Sequence, residues 1–558
     1  MSQNKIHTMM DYPLTLTALL ERAGRYATNV EIVSRLPDRS LHRYTWGNLH
    51  QRALRLAECL HSIGLKRGDR VATLMWNHYA HLECYFGIPA AGGVLHPLNL
   101  RLHPDEIAWI ANHAQDRFLI VDDVLLPVLE KFADKVKFER IFVVKHPLVQ
   151  SAAGESNQSS QRSYADYEDW LQSASGNFTL PALSENDGAS MCYTSGTTGS
   201  PKGVLYSHRS QVLHSMSQAM ADSCAFSQHD VVMLASPMFH ANGWGFSYTA
   251  AMVGAKYVLP GPHLDAESLL DLIEREGVTI TCAVPTVWLG VLQALEKRPT
   301  WKPARDIRIL CGGTAPPESL IRKLDRRGFH LIHSWGMTET SPQATASRLP
   351  PAALDLTEDE QYAFRAKQGW PLPFVDVRIR NEQGDAPCDG KTMGELEVRG
   401  PWVAGSYYNA PETGSHLTND RWTEDGWFRT GDVATIDPDG CIKLVDRSKD
   451  MVKSGGEWIS SVDLENTLMS HPAVREAGVI AVAHEKWQER PLAVVALKDG
   501  AQVTAEELRV FLSSKFAKWQ MPDDFVFVND LPHTSTGKLL KLELRQRYKD
   551  WEWSSQPL

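Results

Sequence analysis

The densest concentration of potential chemistry in this 558-residue sequence is the run T-S-G-T-T-G-S-P-K-G at residues 194–203. Thr194, Ser195, Gly196, Thr197, Thr198 and Gly199 combine small side chains, hydroxyl donors and glycine backbone. Such a segment can wrap closely around a polyphosphate and point backbone N–H groups at it. Lys202 adds a point charge. The spacing is not the P-loop G-x-x-x-x-G-K-[ST], because Gly196 and Lys202 do not keep that register and no Ser or Thr follows the lysine. The plainer alternative is a flexible linker. The run lies between the apolar stretches 190–193 and 204–206, where a linker is out of place.

Six further segments carry groups able to work on such a ligand: PMFHANGWG from Pro237, GGTAPP from Gly312, SWGMTET from Ser334, TGD from Thr430, DRSKDMVKSGGEWIS from Asp446 and TGK from Thr536. Taken singly each is weak. His240 reads as a histidine at the end of a strand, Trp244 and Trp335 as core packing, Glu339 as a capping acid, Asp432 as a turn aspartate and Arg447 as a solvated cation.

Together and in this order, the seven segments resemble the adenylate-forming superfamily of acyl-CoA synthetases, peptide-synthetase adenylation domains and luciferases. The likeness runs from about residue 15 to 548. It implies ATP, Mg²⁺ and CoA as cofactors. The loop from Thr194 to Lys202 would hold phosphates. Thr194 and Glu339 would hold the metal, a single carboxylate beside phosphates and water being magnesium's usual setting. Gly313, Thr314 and Ala315 would form one wall of the adenine site and Trp335 the other, followed by Gly336, Met337 and Thr338. Asp432 would accept from the ribose hydroxyls, and Arg447 would pair with ribose or phosphate oxygens. His240 would sit beside the reacting carboxylate, and Trp244, with Gly312 and Gly313, would line the acyl pocket. Helical spacing from His240 to Trp244 would put both on one face.

The resemblance also assigns the C-terminal segments separate roles. Lys538 would contact the substrate carboxylate and α-phosphate during adenylation. Lys449 occupies the family's hinge position. Ser454, Gly455 and Gly456 resemble the segment brought to the active site by rotation, where glycine backbone could approach a narrow pantetheine tunnel, and Lys453, Gly455 and Gly456 are expected among the cofactor-binding residues.

The implied activity is an AMP-forming acid–CoA ligase acting on a small carboxylic acid. The wording of CYTSGTTGSPKGVLYSHRS, FHANGWG and KSGGEWIS is most like medium-chain fatty acid ligases and 3-methylthiopropionate ligases. Another short- or long-chain acid, or a carrier protein as acceptor, are the alternatives. Only twenty residues follow Lys538, so a fused carrier domain is not expected. A catalytically dead nucleotide sensor would be expected to lack Lys538, Glu339 or Asp432, and all three are present. Many members of the family are homodimers.

Whatever binds there must be positioned by a large scaffold. At this length several domains are expected. A composition of 43% hydrophobic and 22% charged residues excludes global disorder, and a net charge of −10 gives no reason to expect a nucleic-acid partner. Eight scattered cysteines without a Cys-x-x-Cys pair disfavour metal clusters and disulfides and suit the cytoplasm. The N-terminus lacks a signal-peptide core. The uncharged stretches 231–255 and 277–295 are interrupted by proline and polar residues, so no membrane span is expected.

Strands are expected at 70–75, 118–121, 230–235, 279–284, 307–311 and 330–333. Helices are expected at 125–132, after Pro285, and from Pro316 and Pro317 to about Gly328. That alternation predicts an α/β N-terminal domain of helix-covered sheets, with ligands at the C-terminal ends of the strands. Residues 150–163 read as a mobile linker. From about Thr392 the pattern turns to hairpins, with strands 433–436 and 441–445 around Asp439-Gly440, giving a β-rich subdomain. A small mobile α+β domain follows, with helices near Ser461 and at Thr504, where Glu507 completes a capping box. The expected domains are 1–446, a hinge at 447–450, and 451–558.

Overall fold

Short runs of β-branched and apolar residues, buried along most of their length, build two mixed sheets of seven strands each. Runs of this kind suit strands covered on both faces. The computed structural model describes residues 8–147, 164–194, 201–409, 421–454, 457–533 and 539–553, so the expected linker 150–163 lies outside the described residues.

In spatial order the first sheet is Ala165–Asp166, Arg140–Val144, Asp116–Asp122, Arg70–Leu74, Val94–Pro97, Gly188–Thr194 and Lys202–Ser207. The second is Phe329–His333, Ile307–Cys311, Ile280–Ala283, Val231–Met233, Lys256–Leu259, Glu31–Arg35 and Leu41–Thr45. All pairs are parallel except the last in each sheet. The helix Tyr79–Ala90 is buried on every side and packs against strands of both sheets. Its polar residues are answered internally. The His81 ring is 2.9 Å from the Thr73 hydroxyl, and Glu83 accepts from Arg52 at 2.6 Å and from the Tyr167 hydroxyl at 2.9 Å.

An antiparallel five-stranded sheet follows, ending in the hairpin Phe428–Ile436 and Ile442–Arg447. Its turn is closed by Gly440 N–H donating to Asp437 O at 2.9 Å, with Gly440 at a φ of +89° that suits glycine. A further antiparallel group, Glu457–Ile459, Val452–Ser454, Gln488–Leu497 and Val474–His484, takes Asp524–Val528 as a parallel partner and is covered by the helices Ser461–Ser470 and Ala505–Ser513. The capping box of Thr504 and Glu507 is formed. The chain is therefore mixed α/β, with large helix-covered sheets, a β-rich section and a small C-terminal α+β unit. Residues 447–450, expected as a hinge, join the hairpin sheet to this last group. Among the described residues no helix is long and apolar enough to cross a membrane.

Several elements are shorter than expected, the strands at 70–75 and 279–284 by one and two residues. The strand expected at 230–235 is Val231–Met233. The helix expected over 125–132 is a single turn, Leu126–Leu129, because the chain bends before Phe132, whose ring is buried with Leu129. The helix after the two prolines is Glu318–Asp325, with Pro317 as its N-cap at ψ 143°. Pro316 precedes a proline and is excluded from helical geometry.

Burial also sets how the fold responds to acid. It pushes the imidazoles of His81 and His214 down to about 3, and those of His208 and His333 down to about 4. Each is depressed below its unfolded value of about 6.5, so its contribution is complete above that pH and is lost as pH falls towards the folded value. Each such histidine adds a slope of roughly 1.4 kcal/mol per pH unit in that window. The melting temperature is expected to fall steadily from pH 6.5 to 4. A flat profile there would contradict the burial of these four rings.

Candidate active site

The C-terminal ends of the parallel strands, the hairpin sheet and the edge of the first sheet converge on one region. The strand Gly188–Thr194 enters the hydroxyl-rich loop, and Lys202–Ser207 leaves it, paired in register at Thr194 and Lys202. Lys202 N–H donates to the Thr194 hydroxyl at 3.3 Å. Ser195, Gly196, Thr197, Thr198 and Gly199 lie outside the described residues.

Gly188–Thr194 packs against the short turn Thr338–Thr340 that carries Glu339. Tyr206 fastens this turn by donating its hydroxyl to Thr338 O at 2.7 Å, and Ala404 N–H donates to Glu339 O at 2.8 Å. The Glu339 side chain is buried, and its Oε1 accepts from the Tyr407 hydroxyl at 2.6 Å. Burial, then the Glu339 charge, pushes the Tyr407 hydroxyl well up, so it stays protonated and donating. The Lys202 ammonium lies 4.9 Å from the centre of the Tyr407 ring. Thr194, Lys202 and Glu339 are thus gathered around Tyr407, a residue that sequence reasoning missed. It sits in an irregular segment, and its only mark in the sequence is the Tyr407-Tyr408 pair after Gly405.

A second chain of contacts runs through Asp432. Trp335 Nε1–H donates to Asp432 Oδ2 at 2.9 Å, and the Arg447 Nε lies 2.9 Å from Asp432 Oδ1. The hairpin register sets Asp432 directly opposite Arg447. The Asp432 charge, and more weakly that of Glu339, raises the Arg447 guanidinium further. Gly336 follows Trp335 where a Cβ would meet Pro342 O at 1.8 Å, so only glycine fits. Met337 and Thr338 are partly buried, while Gly313 and Thr314 are exposed beside a partly buried Ala315. Gly313 takes a φ of +87°.

Two expectations need correction. His240 does not end a strand, because Val231–Met233 stops seven residues earlier and an irregular stretch follows. Trp244 is not one α-helical turn beyond it. Asn242, Gly243 and Trp244 take left-handed φ values of +42°, +62° and +56°, and the α-helix begins only at Phe246. This left-handed run is held by Gln218 Nε2, which donates to Trp244 O at 2.8 Å. It turns the buried indole so that its tip would lie 3.8 Å from a Cβ on Gly312. Trp244 and Gly312 therefore share a wall, by a route that helical spacing does not describe. His240 and Thr194 border one groove with His96, Tyr193 and Phe239, and of these His96 lies outside every motif.

Lys453 stays with the C-terminal sheet. Its N–H donates to Glu489 at 2.8 Å and its ammonium lies 5.4 Å from the Trp458 ring. Gly455, Gly456 and Lys538 lie outside the described residues.

The AMP-binding enzyme family matches residues 19–408, and the AMP-binding enzyme C-terminal domain matches residues 463–538. The chain is 46% identical to a long-chain-fatty-acid–CoA ligase of Thermus thermophilus, covering 98% of this chain and 97% of that protein. It is 44% identical to a medium-chain-fatty-acid–CoA ligase of Ectopseudomonas oleovorans, covering 97% of each. It is 42% identical to a 3-methylmercaptopropionyl-CoA ligase of Ruegeria lacuscaerulensis, covering 97% and 98%. An anthranilate CoA ligase crystallised with anthranoyl-AMP superposes with a TM-score of 0.83 at 26% identity, over 96% of this chain and 98% of that one.

Asp432 is the junction of the Trp335 and Arg447 contacts, so its loss is expected to be felt by a bound nucleotide. A hydrogen bond to a charged group contributes about 1.5–3 kcal/mol. Asp432→Ala is expected to weaken AMP binding by roughly 10- to 100-fold in calorimetry, and Asp432→Asn by less. Equal affinity in all three proteins would remove Asp432 from the site.

Proposed function

The chain belongs to the AMP-binding enzyme family, and on that premise we propose that it is an AMP-forming acid–CoA ligase. In the first step a carboxylate oxygen of the acid attacks the α-phosphorus of ATP. The bond to the bridging oxygen breaks, pyrophosphate leaves and an acyl-adenylate forms. In the second step the CoA thiol, losing its proton, attacks the acyl carbonyl, and AMP departs with the C–O bond electrons.

The observation that carries this reading is the pairing of two buried carboxylates with opposite surroundings. Asp432 is committed to Trp335 and Arg447, which suits a fixed acceptor for a ribose held against an indole. Glu339 is held by one phenol and lies on a turn packed against the Thr194 strand. Carboxylate, hydroxyl and phosphate oxygens are the hard donors Mg²⁺ takes, so Glu339 and Thr194 fit the ion, which would neutralise phosphate charge when bound. Lys202, steadied over Tyr407, suits a phosphate oxygen. Arg447 adds a fixed cation. His240 would border the acid's carboxylate, and Lys538 would supply the mobile charge needed as pyrophosphate leaves.

The groove wall of Trp244 and Gly312 is apolar, which favours an aliphatic acid. We take a medium-chain fatty acid as substrate, with 3-methylthiopropionate or a longer acid as the second reading. A cytoplasmic homodimer is the expected form. Trp244→Ala removes the indole from the wall facing Gly312, which leaves room for longer chains and costs short acids their van der Waals contacts. With acids from acetate to palmitate and 3-methylthiopropionate, the variant is expected to shift kcat/KM toward longer chains. An unchanged ranking would make Trp244 core packing.

The two half-reactions separate the C-terminal segments. Lys538→Ala is expected to lower acyl-adenylate formation by on the order of 100-fold or more, while conversion of supplied acyl-adenylate to acyl-CoA continues. Gly456→Trp is expected to do the reverse, by plugging the thiol's path. Equal slowing of both halves by both substitutions would favour a single fixed site.

A further inference from the structure

Away from the nucleotide region, three polar side chains close on one another inside the first sheet. His78 Nε2 lies 2.8 Å from Asp122 Oδ1, and His146 Nε2 lies 3.2 Å from the same oxygen. The three ligand-capable atoms lie within 4.8 Å of one another. All three side chains are at most 1% exposed. The His146 contact is an ion pair with the carboxylate that His78 also faces. Among the described residues the Nδ1 of His146 and the Nδ1 of His78 have no hydrogen-bond partner, while the Nε2 of each ring faces Asp122. Two buried imidazole Nε2 atoms thus converge on a single carboxylate oxygen. Asp122 is meanwhile fixed from behind, its Oδ2 accepting from Trp76 N–H at 2.9 Å, and His146 is fixed by its own N–H donating to Asp123 at 2.9 Å.

Topology supplies an independent reason to expect a ligand here. His78 follows Arg70–Leu74, Asp122 ends Asp116–Asp122, and His146 follows Arg140–Val144, three adjacent parallel strands. After Arg70–Leu74 the chain adds Val94–Pro97 on one side, then crosses back to add Asp116–Asp122 on the other. His78 and Asp122 therefore flank the topological switch point, the crevice where open α/β sheets bind ligands.

We propose that His78, Asp122 and His146 form a binding site for a first-row divalent transition metal, of which Zn²⁺ is the representative, distinct from the Mg²⁺ expected at Glu339. Two imidazoles and one carboxylate with a position open to water are a known zinc donor set, and nitrogen donors disfavour magnesium. Tetrahedral ligands at zinc bond lengths of about 2.0–2.2 Å lie roughly 3.3 Å apart, so the His–Asp spacings of 2.8 and 3.2 Å need small adjustments, and the two imidazole nitrogens, within 4.8 Å of each other, must draw together on the ion. A bound ion would staple the ends of three strands next to Asn77, whose amide holds the segment leading to His240.

The test uses untagged, chelator-treated full-length protein titrated with Zn²⁺ or Co²⁺ alone. Wild type is expected to take up one equivalent more than His146→Gln or Asp122→Asn, with an affinity for that equivalent at least tenfold higher. It is expected to show the visible d–d bands of four-coordinate Co²⁺ and to gain melting temperature with Zn²⁺, responses that both variants lose. Glu339→Gln is expected to keep them all, which separates this site from the nucleotide's metal. Equal uptake by wild type and variants without Co²⁺ bands would overturn the proposal and leave His146 as the imidazolium partner of Asp122. Should the variants fail to fold, X-ray absorption of zinc-loaded wild type decides. A shell of two imidazoles and one carboxylate supports the site, and an all-oxygen or thiolate shell overturns it.

Discussion

The constraint on which the catalytic region depends is the side-chain amide of Asn77. It is buried where the first sheet's Arg70–Leu74 strand hands over to the buried helix, and it reaches across to the second sheet. Its Nδ2 donates to Leu234 O at 3.0 Å and Ser236 O at 2.8 Å, and its Oδ1 accepts from Met238 N–H at 2.9 Å. Leu234 N–H still bonds to Val258 O at 3.1 Å, but beyond it the segment is irregular, and this one side chain does for residues 235–238 what a strand partner would do elsewhere. The carboxyl ends of the two sheets are thereby fixed relative to each other, and His240 and the left-handed turn at Trp244 begin from a set origin.

From that origin the two contact chains, through Trp335 and through Glu339, take different supports. Trp335 leaves the second sheet after Phe329–His333, yet its indole is anchored to Asp432 on the hairpin sheet. Glu339, four residues later, is anchored to the first sheet through Tyr206 and to the segment before the hairpin through Tyr407. Three sheets therefore meet at residues 335–339. Small residues are required there for contact rather than flexibility, as the clash of a Gly336 Cβ with Pro342 O makes plain.

This architecture was legible in part. The strands at 70–75, 307–311 and 330–333 and the helices at Pro285 and Thr504 follow from buried runs, proline placement and capping, which act over a few residues. The motif residues Thr194, Lys202 and Glu339 converge as their order suggested. What local signals could not carry was geometry created by distant partners. The spacing of His240 and Trp244 looked helical, but Asn242 and Gly243 accept left-handed angles and Gln218, far away in sequence, locks them. Tyr407 has no periodicity around it, and its role arises only when the Glu339 turn is delivered by another sheet. The buried histidines at 78 and 146 are 68 residues apart (146 minus 78) and meet only because strand order differs from chain order.

The junction with the C-terminal unit follows the same logic and bears on how one chain could serve two reactions. Asp446, the last residue before the expected hinge, accepts from Ser461 N–H at 2.7 Å and from the Ser461 hydroxyl at 2.5 Å. Lys541, on the helix Lys541–Arg547 that follows the segment containing Lys538, donates to that same hydroxyl and pairs with Glu465 at 2.7 Å. Burial pushes the Glu465 carboxyl up to about 7 even beside this lysine. Arg545, one helical turn on, pairs with Asp450 at the far side of the hinge. Both ends of residues 447–450 are thus tied to the single helix that leads from Lys538. A rotation about the expected hinge would carry that helix with the C-terminal unit, and the Asp446–Ser461 contact would have to open together with those of Ser460 with Val445 O and of Lys443 with Asp463. Because these are polar contacts, water can replace the lost partners.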